Sequence, residues 1–358
     1  METMQEKEFR YQRILVVGGA GFVGSNLVRK LLEYSARKIL IVDNLLSAEW
    51  ANIPKSSGVT FVEGSITDDR ILQNLRDDLD YVFHLATYHG NQNSIFNPLE
   101  DHENNALTTL KLYEKIKEFR NIKKVIYASA GCMIAEKTFD EADATKEDAP
   151  VSLHLDSPYQ ISKIVGEFYS NYYFKQHHLP VVKARFQNVY GPGEILGAGK
   201  WRGTVATVWR NVIPTFIYRA LQKMPLMVEN DGKATRDFIY VDDIICGLTL
   251  CAIRGVSGEI YNLASGFETS ILDLANLVNR LTDNHTPLQF APGRDWDNSG
   301  RRFGSTYKAK EEIAFEAQIN LREGLMRTIK WTEENMRMIE ACIKKHAAHI
   351  TYDERKTT

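Results

Sequence analysis

The chain has 358 residues, 44% of them hydrophobic, with 44 Lys and Arg against 46 Asp and Glu for a net charge of -2. That length buries a sizeable core and accommodates two domains, and the balanced charge argues against a general nucleic-acid or membrane-surface binder. No apolar run reaches the ~18 residues of a membrane span, Met1 to Arg10 is charged and lacks the apolar core of a signal peptide, and Cys132, Cys246, Cys251 and Cys342 show neither zinc spacing nor a disulfide framework, so the cytoplasm is the expected compartment.

The apolar run Arg13-Ile14-Leu15-Val16-Val17 breaks into Gly18-Gly19-Ala20-Gly21 and resumes with helical spacing through Phe22, Val23 and Gly24. This predicts strand, tight turn and helix. Gly18 permits the turn, Gly21 lets a ligand approach the backbone, and Gly24 lets helix and strand pack closely. The helix N-terminus then offers N–H groups and a positive dipole end to a pyrophosphate. A second apolar run, Lys38 to Val42, ends in Asp43, near the expected ~20 residues beyond the glycines. A carboxylate there accepts ribose hydroxyls and repels a 2′-phosphate, so the turn predicts a dinucleotide site that favours NAD over NADP.

Further strands are expected at 59–63, 80–85, 123–128 and 180–186, and helices at 69–76, 99–119 and 157–176. This alternation predicts an α/β fold, a Rossmann-type doubly wound parallel sheet with helices on both faces. Residues 187–204 hold five glycines and one proline, too many for a regular element. A helix is expected at 212–222, a strand at 235–240, and helices at 241–253, 270–283 and 320–346. The tail from about His346 is polar and reads as loose. His346 and His349 share a helix face there, which reads as a solvated face, and no metal site is expected.

Asp156-Ser157-Pro158 is a helix start. Tyr159 and Lys163 are four apart and lie on one face of that helix. An ammonium beside a phenol favours the phenolate, and such a tyrosine can take a proton from a sugar hydroxyl as hydride leaves the same carbon.

With these residues in place the sequence resembles the extended short-chain dehydrogenase/reductase family, and within it the nucleotide-sugar epimerases and dehydratases, over roughly residues 12–335. The resemblance rests on the glycine turn, Asp43-Asn44, His84-Leu85-Ala86, Tyr127-Ala128-Ser129, Tyr159 with Lys163, Arg185-Phe186 followed by Asn188-Val189-Tyr190-Gly191-Pro192, Arg236 to Asp243, and Asn262 to Gly266. The chain is especially similar to epimerases of bacterial O-antigen clusters. The resemblance implies an NAD domain over 1–186 with a returning segment around 235–254, a smaller mixed α/β nucleotide-sugar domain interleaved over 187–346, and a polar tail at 347–358. It implies a homodimer formed through the helices at 99–119 and 157–176. It implies cofactor contacts from Gly18, Gly21, Phe22, Val23, Gly24, Asp43, Asn44, Ser65, Ile66, Leu85, Ala86, Thr87, Asn105, Tyr159, Lys163 and Phe186. Substrate contacts are implied for Asn188, Lys200, Arg236, Arg294 and Asp297.

Departures from the pattern bear on the reaction. Relatives carry Ser or Thr where this chain has Ala130, leaving Ser129 or water to meet the substrate hydroxyl. The Asp-Glu pair of the 4,6-dehydratases aligns with Gly131-Cys132, so their carboxylate acid/base is missing. Ser65 stands where relatives usually place Asp against the adenine. Cys132, with Lys200 in the later glycine-rich loop, is similar to the arrangement of GDP-mannose 3,5-epimerase, where a thiolate removes a proton next to a ketone. The expected activity is an NAD-dependent C4 epimerase of a UDP-sugar, working through a transient 4-keto sugar with Tyr159, Lys163, Ser129 and Cys132 as the catalytic set. A 3,5-epimerase or dehydratase using Cys132 is the enzymatic alternative, and a catalytically silent NAD sensor or scaffold is the other.

Overall fold

The computed structural model describes residues 3–131, 134, 138–294 and 300–354. In chain order the elements are α1 (Met4–Phe9), β1 (Arg13–Val17), α2 (Phe22–Glu33), β2 (Lys38–Asp43), β3 (Val59–Glu63), α3 (Asp69–Asn74), β4 (Tyr81–His84), α4 (Asn91–Phe96), α5 (Pro98–Asp101), α6 (Thr108–Ile116), β5 (Lys124–Ala130) and α7 (Pro158–His177). They continue with β6 (Val181–Phe186), β7 (Asn188–Tyr190), α8 (Val212–Leu221), β8 (Met227–Glu229), β9 (Thr235–Tyr240), α9 (Val241–Arg254), β10 (Ile260–Leu263), β11 (Glu268–Ser270), α10 (Ile271–Leu281), β12 (Gln289–Ala291), α11 (Tyr307–Ile313), α12 (Leu321–Glu334), α13 (Met336–Lys344) and α14 (Ala347–Glu354).

Seven strands form one parallel sheet in the order β10-β6-β5-β4-β1-β2-β3. The order reverses between β1 and β4, and a ligand crevice is expected at the carboxyl ends of the strands there. Side chains on β1 alternate between two layers. Ile14 and Val16 pack with Leu27, Val28 and Leu31 of α2. Leu15 and Val17 face the other way, toward Leu112, Tyr113 and Ile116 of α6. A strand buried on both faces reads as an unbroken apolar run, which is what the sequence shows. Two smaller sheets, β11-β9-β7 and β12-β8, build the part that closes over the crevice.

The long helix expected at 99–119 has three parts. Asn97 caps α5, a π-helical turn runs from His102 to Leu107, and α6 completes it. The helix expected at 320–346 breaks at Asn335, whose side-chain amide donates to the Trp331 carbonyl at 2.8 Å and competes with the backbone ladder. The expected loose tail continues as α14 through Glu354, joined to the preceding helix by turn bonds at His346 and Ile343. The segment at 235–254 supplies α9, which packs against α2, β5 and β6, and the seventh strand of the main sheet, β10, follows at 260–263.

Candidate active site

A deep cleft opens at the carboxyl ends of β1, β4, β5 and β6, where the switch point of the sheet places it. Its floor is the turn after β1. Gly18 has φ +85°, and a Cβ there would sit 2.5 Å from the Ala86 nitrogen. A Cβ at Gly24 would sit 2.2 Å from the Gly18 carbonyl oxygen, so α2 starts this close to β1 only with glycine. Gly21 is the N-cap of α2 and supplies no side-chain cap. Phe22, Val23 and Gly24 line the cleft at that helix end, which suits a phosphate.

Asp43 closes the second strand at the cleft wall. Its Oδ2 accepts from Ala20 N at 3.0 Å and its Oδ1 from Leu45 N at 2.9 Å. Burial pushes the carboxyl pKa up, and the N–H groups of Leu45, Ala20 and Gly21 pull it back. Asn44, Ser65, Ile66, Leu85, Ala86, Thr87 and Phe186 complete this half of the cleft. Thr87 Oγ1 is buried with no partner among the described residues. Donors, apolar walls and a carboxylate at a helix N-terminus fit a dinucleotide with a free ribose 2′-hydroxyl.

Tyr159 and Lys163 stand on the first turns of α7 and both line the cleft. Ser157 Oγ accepts from Gln160 N at 3.4 Å and donates to Asn91 Oδ1 at 3.1 Å, so the start of α7 is tied to the start of α4. Lys163 is 3% exposed, and its Nζ donates to the Ala128 carbonyl at 3.0 Å and lies 5.5 Å from the centre of the Tyr127 ring. The helix therefore holds phenol and ammonium against the end of β5, as their spacing of four predicts.

Ser129 lines the cleft, but its hydroxyl donates to Glu167 Oε1 at 2.6 Å. Glu167 in turn accepts two bonds from Arg185, each at 2.8 Å, in a buried pair. Asn188, Arg236 and Arg294 line the other half of the cleft. Arg236 donates to the Thr235 and Gly300 carbonyls, and Arg294 pairs with Glu229 at 2.8 Å.

Two expected contacts lie elsewhere. Asn105 is buried behind the wall: its Oδ1 accepts from Tyr88 N at 2.7 Å, and its Nδ2 donates to Asp101 at 2.8 Å and to Ser162 at 3.1 Å. It ties the loop after β4 to α7 and forms no part of the cleft lining. Lys200 is exposed and outside the lining, because Gly199 and the Lys200 N–H are pinned to Glu49 and Leu46. Cys132 and Asp297 lie outside the described residues.

The cleft also contains groups that no motif announced. Glu194 is buried and Arg210 half-buried at its edge. Asn211 donates to Glu194, whose pKa burial pushes up to about 7. His89 lines the cleft, and its ring meets the Tyr159 ring edge-on, with centroids 6.0 Å apart and an interplanar angle of 70°. Burial lowers the His89 pKa to about 3, helped by Arg202, Arg210 and Lys163, so the imidazole is neutral. A lone histidine in Thr87-Tyr88-His89-Gly90-Asn91-Gln92 has no periodic signal to mark it.

Comparison with known proteins gives this cleft a context. Residues 14–264 match the profile of the NAD dependent epimerase/dehydratase family. The Bordetella bronchiseptica enzyme WbmF, solved in complex with NAD+ and UDP, is 57% identical over 96% of this chain and 98% of its own, with a TM-score of 0.87. UDP-glucose 4-epimerase from Thermotoga maritima, solved with UDP-glucose, is 30% identical over 90% and 99% of the two chains, with a TM-score of 0.81. The dTDP-glucose 4,6-dehydratase DesIV from Streptomyces venezuelae is 25% identical over 92% and 99%, with a TM-score of 0.82. Similar folds thus carry both epimerases and dehydratases.

Proposed function

Because this chain belongs to the NAD-dependent epimerase/dehydratase family, we propose that it is a nucleotide-sugar epimerase that inverts C4 of a UDP-sugar. The observation that carries this reading is the pairing of Tyr159 and Lys163 at the mouth of a dinucleotide turn, with Arg236, Arg294 and Asn188 across the same cleft. NAD, when bound, supplies a hydride acceptor at the sugar carbon and gives the hydride back. Tyr159 takes the C4 hydroxyl proton and holds it on the phenol oxygen. Lys163 stabilises the phenolate electrostatically and orients the ring from the helix turn below. Asp43 and the N-terminus of α2 hold the cofactor, and Arg236 and Arg294 hold the substrate diphosphate.

Epimerisation then requires the keto sugar to turn within the cleft and receive hydride on its other face. WbmF carries UDP in its solved complex, which favours UDP over other nucleotides here. The resemblance of the sequence to epimerases of bacterial O-antigen clusters supports a product that is a precursor of surface polysaccharide. The test is a mixture of UDP-sugars with the purified protein, following the reduced-nicotinamide absorbance. Transient reduction with at least one sugar is expected. Tyr159→Phe should abolish turnover while the protein keeps its NAD, since only the proton acceptor is removed. No absorbance change with any nucleotide sugar, despite bound NAD, would contradict the reading.

A further inference from the structure

The C4 oxygen changes from hydroxyl to carbonyl and back, and it needs a hydrogen-bond donor that strengthens as the carbonyl forms. Among the described residues, the side chains at the end of β5 do not provide one. Ala130 has no polar side chain, and the Ser129 hydroxyl is spent on Glu167. His89 also lines the cleft, its ring edge-on to the Tyr159 ring with centroids 6.0 Å apart. The sugar oxygen that yields its proton to Tyr159 must lie within one hydrogen bond of that phenol.

From this geometry we propose that His89 is a catalytic residue whose ring N–H donates to the sugar's C4 oxygen in place of the missing side-chain hydroxyl at position 130. The proposal rests on the C4-oxidation reading above.

The backbone holding His89 is fixed from four sides. Tyr88 N is bound by Asn105, and the His89 carbonyl accepts from Arg202 Nη1 at 2.9 Å. Gly90, at φ +101°, turns the chain into α4, and Asn91 is bound by Ser157 at the start of α7. Tyr159 and His89 therefore share one rigid frame, and neither can move without the other's anchor. Among the described residues no hydrogen bond to the His89 ring occurs, and the half-buried ring lines the cleft.

Nearby Arg202, Arg210 and Lys163 disfavour an imidazolium. A neutral ring suits the role, because it polarises the oxygen without surrendering its proton. As the C4–H bond breaks, the electron pair leaves as hydride to NAD. The O–H proton passes to Tyr159, the C–O bond becomes C=O, and the His89 N–H remains intact throughout.

Donor and packing roles separate cleanly with two variants. His89→Phe keeps a flat ring against Tyr159 and removes the donor. His89→Gln loses the ring and keeps an N–H. With a UDP-sugar that the wild type oxidises, His89→Phe should lower kcat on the order of 10²-fold, the usual loss of one carbonyl-oxygen donor, with KM little changed. His89→Gln should stay well above His89→Phe. Adding Ala130→Ser to His89→Phe should recover roughly tenfold by restoring a hydroxyl donor at the end of β5. A second readout needs no turnover: the carbonyl stretch of a bound UDP-4-keto-hexose should rise in frequency in His89→Phe. If His89→Phe is as fast as the wild type, or faster than His89→Gln, or leaves the stretch unchanged, His89 is packing and the proposal falls. A wild type that oxidises no nucleotide sugar removes the parent reading and this proposal together.

Discussion

At the residue scale the cleft is built from groups whose protonation and partners are set by burial. Glu167 and Arg185 form a bidentate buried pair at the base of the catalytic wall, and the pair fixes the Ser129 hydroxyl. Glu194 is the opposite case, a buried carboxyl with Oε2 lacking a partner among the described residues. Its pKa, ordinarily 4.5, is raised to about 7 because burial penalises the charge, an effect that Asn211 and Arg210 only partly offset. An acid raised in the folded state stabilises it fully below its unfolded pKa, and that contribution is lost as pH rises through the folded value. Glu194→Gln removes this cost. The NAD-free variant should exceed the wild type in stability at pH 8 by up to about 3 kcal/mol, from 1.36 kcal/mol per pKa unit, and the difference should shrink toward pH 5. Chemical unfolding at both pH values checks this, and a difference independent of pH would contradict it.

At the scale of elements, the contact between β1 and α2 decides whether the cofactor turn exists. A methyl at Gly24 collides with the Gly18 carbonyl at 2.2 Å, and that carbonyl belongs to backbone that cannot step aside. Gly24→Ala should cost about 1–3 kcal/mol in stability, the usual price of overpacking. It should also weaken NAD binding by roughly tenfold or more, since about 1.4 kcal/mol of that strain falls on the bound geometry. Denaturant titration and calorimetry with NAD measure the two effects.

This turn was legible in the sequence because backbone geometry admits only glycine there, and the paired Tyr159 and Lys163 were legible because a spacing of four puts them on one helix face. The strands β7, β8, β11 and β12 were not, since each is only three residues long and shows no alternation. Asn105 reads as a cleft residue from sequence. The π-helical turn in which it lies sets it behind the wall, and helical periodicity does not announce such a turn. His89 was invisible for the reason that its role depends on a neighbour 70 positions away.

At the scale of the whole molecule, the outer face of α7 carries an unusual apolar stripe. Ile161 is 47% exposed, Phe168 56% and Tyr172 50%, at intervals that stack them along one side of the helix. Phe96 and Leu99, on α4 and α5, add 63% and 81% exposed side chains. Contiguous apolar surface of this kind marks an interface, and it coincides with the helices expected to pair two copies. The wild type should run as a dimer in light scattering, and Phe168→Glu with Tyr172→Glu should convert it to a monomer. A monomeric wild type would remove the pairing. No helix among the described residues is long and apolar enough to cross a membrane.

The cleft unites these scales: on the C4-epimerase reading proposed above, the sheet's switch point, the glycine turn and the Tyr159 frame would all serve one oxidation at one carbon. The most direct test of that claim is proton NMR of the enzyme with UDP-linked sugars in deuterated water. C4 inversion without deuterium uptake is the predicted result, because the hydride leaves and returns without exchanging with solvent. Deuterium at C3 or C5, or a new keto or alkene signal, would contradict it and move the chemistry to proton transfer beside the ketone, with Cys132 as its acid/base.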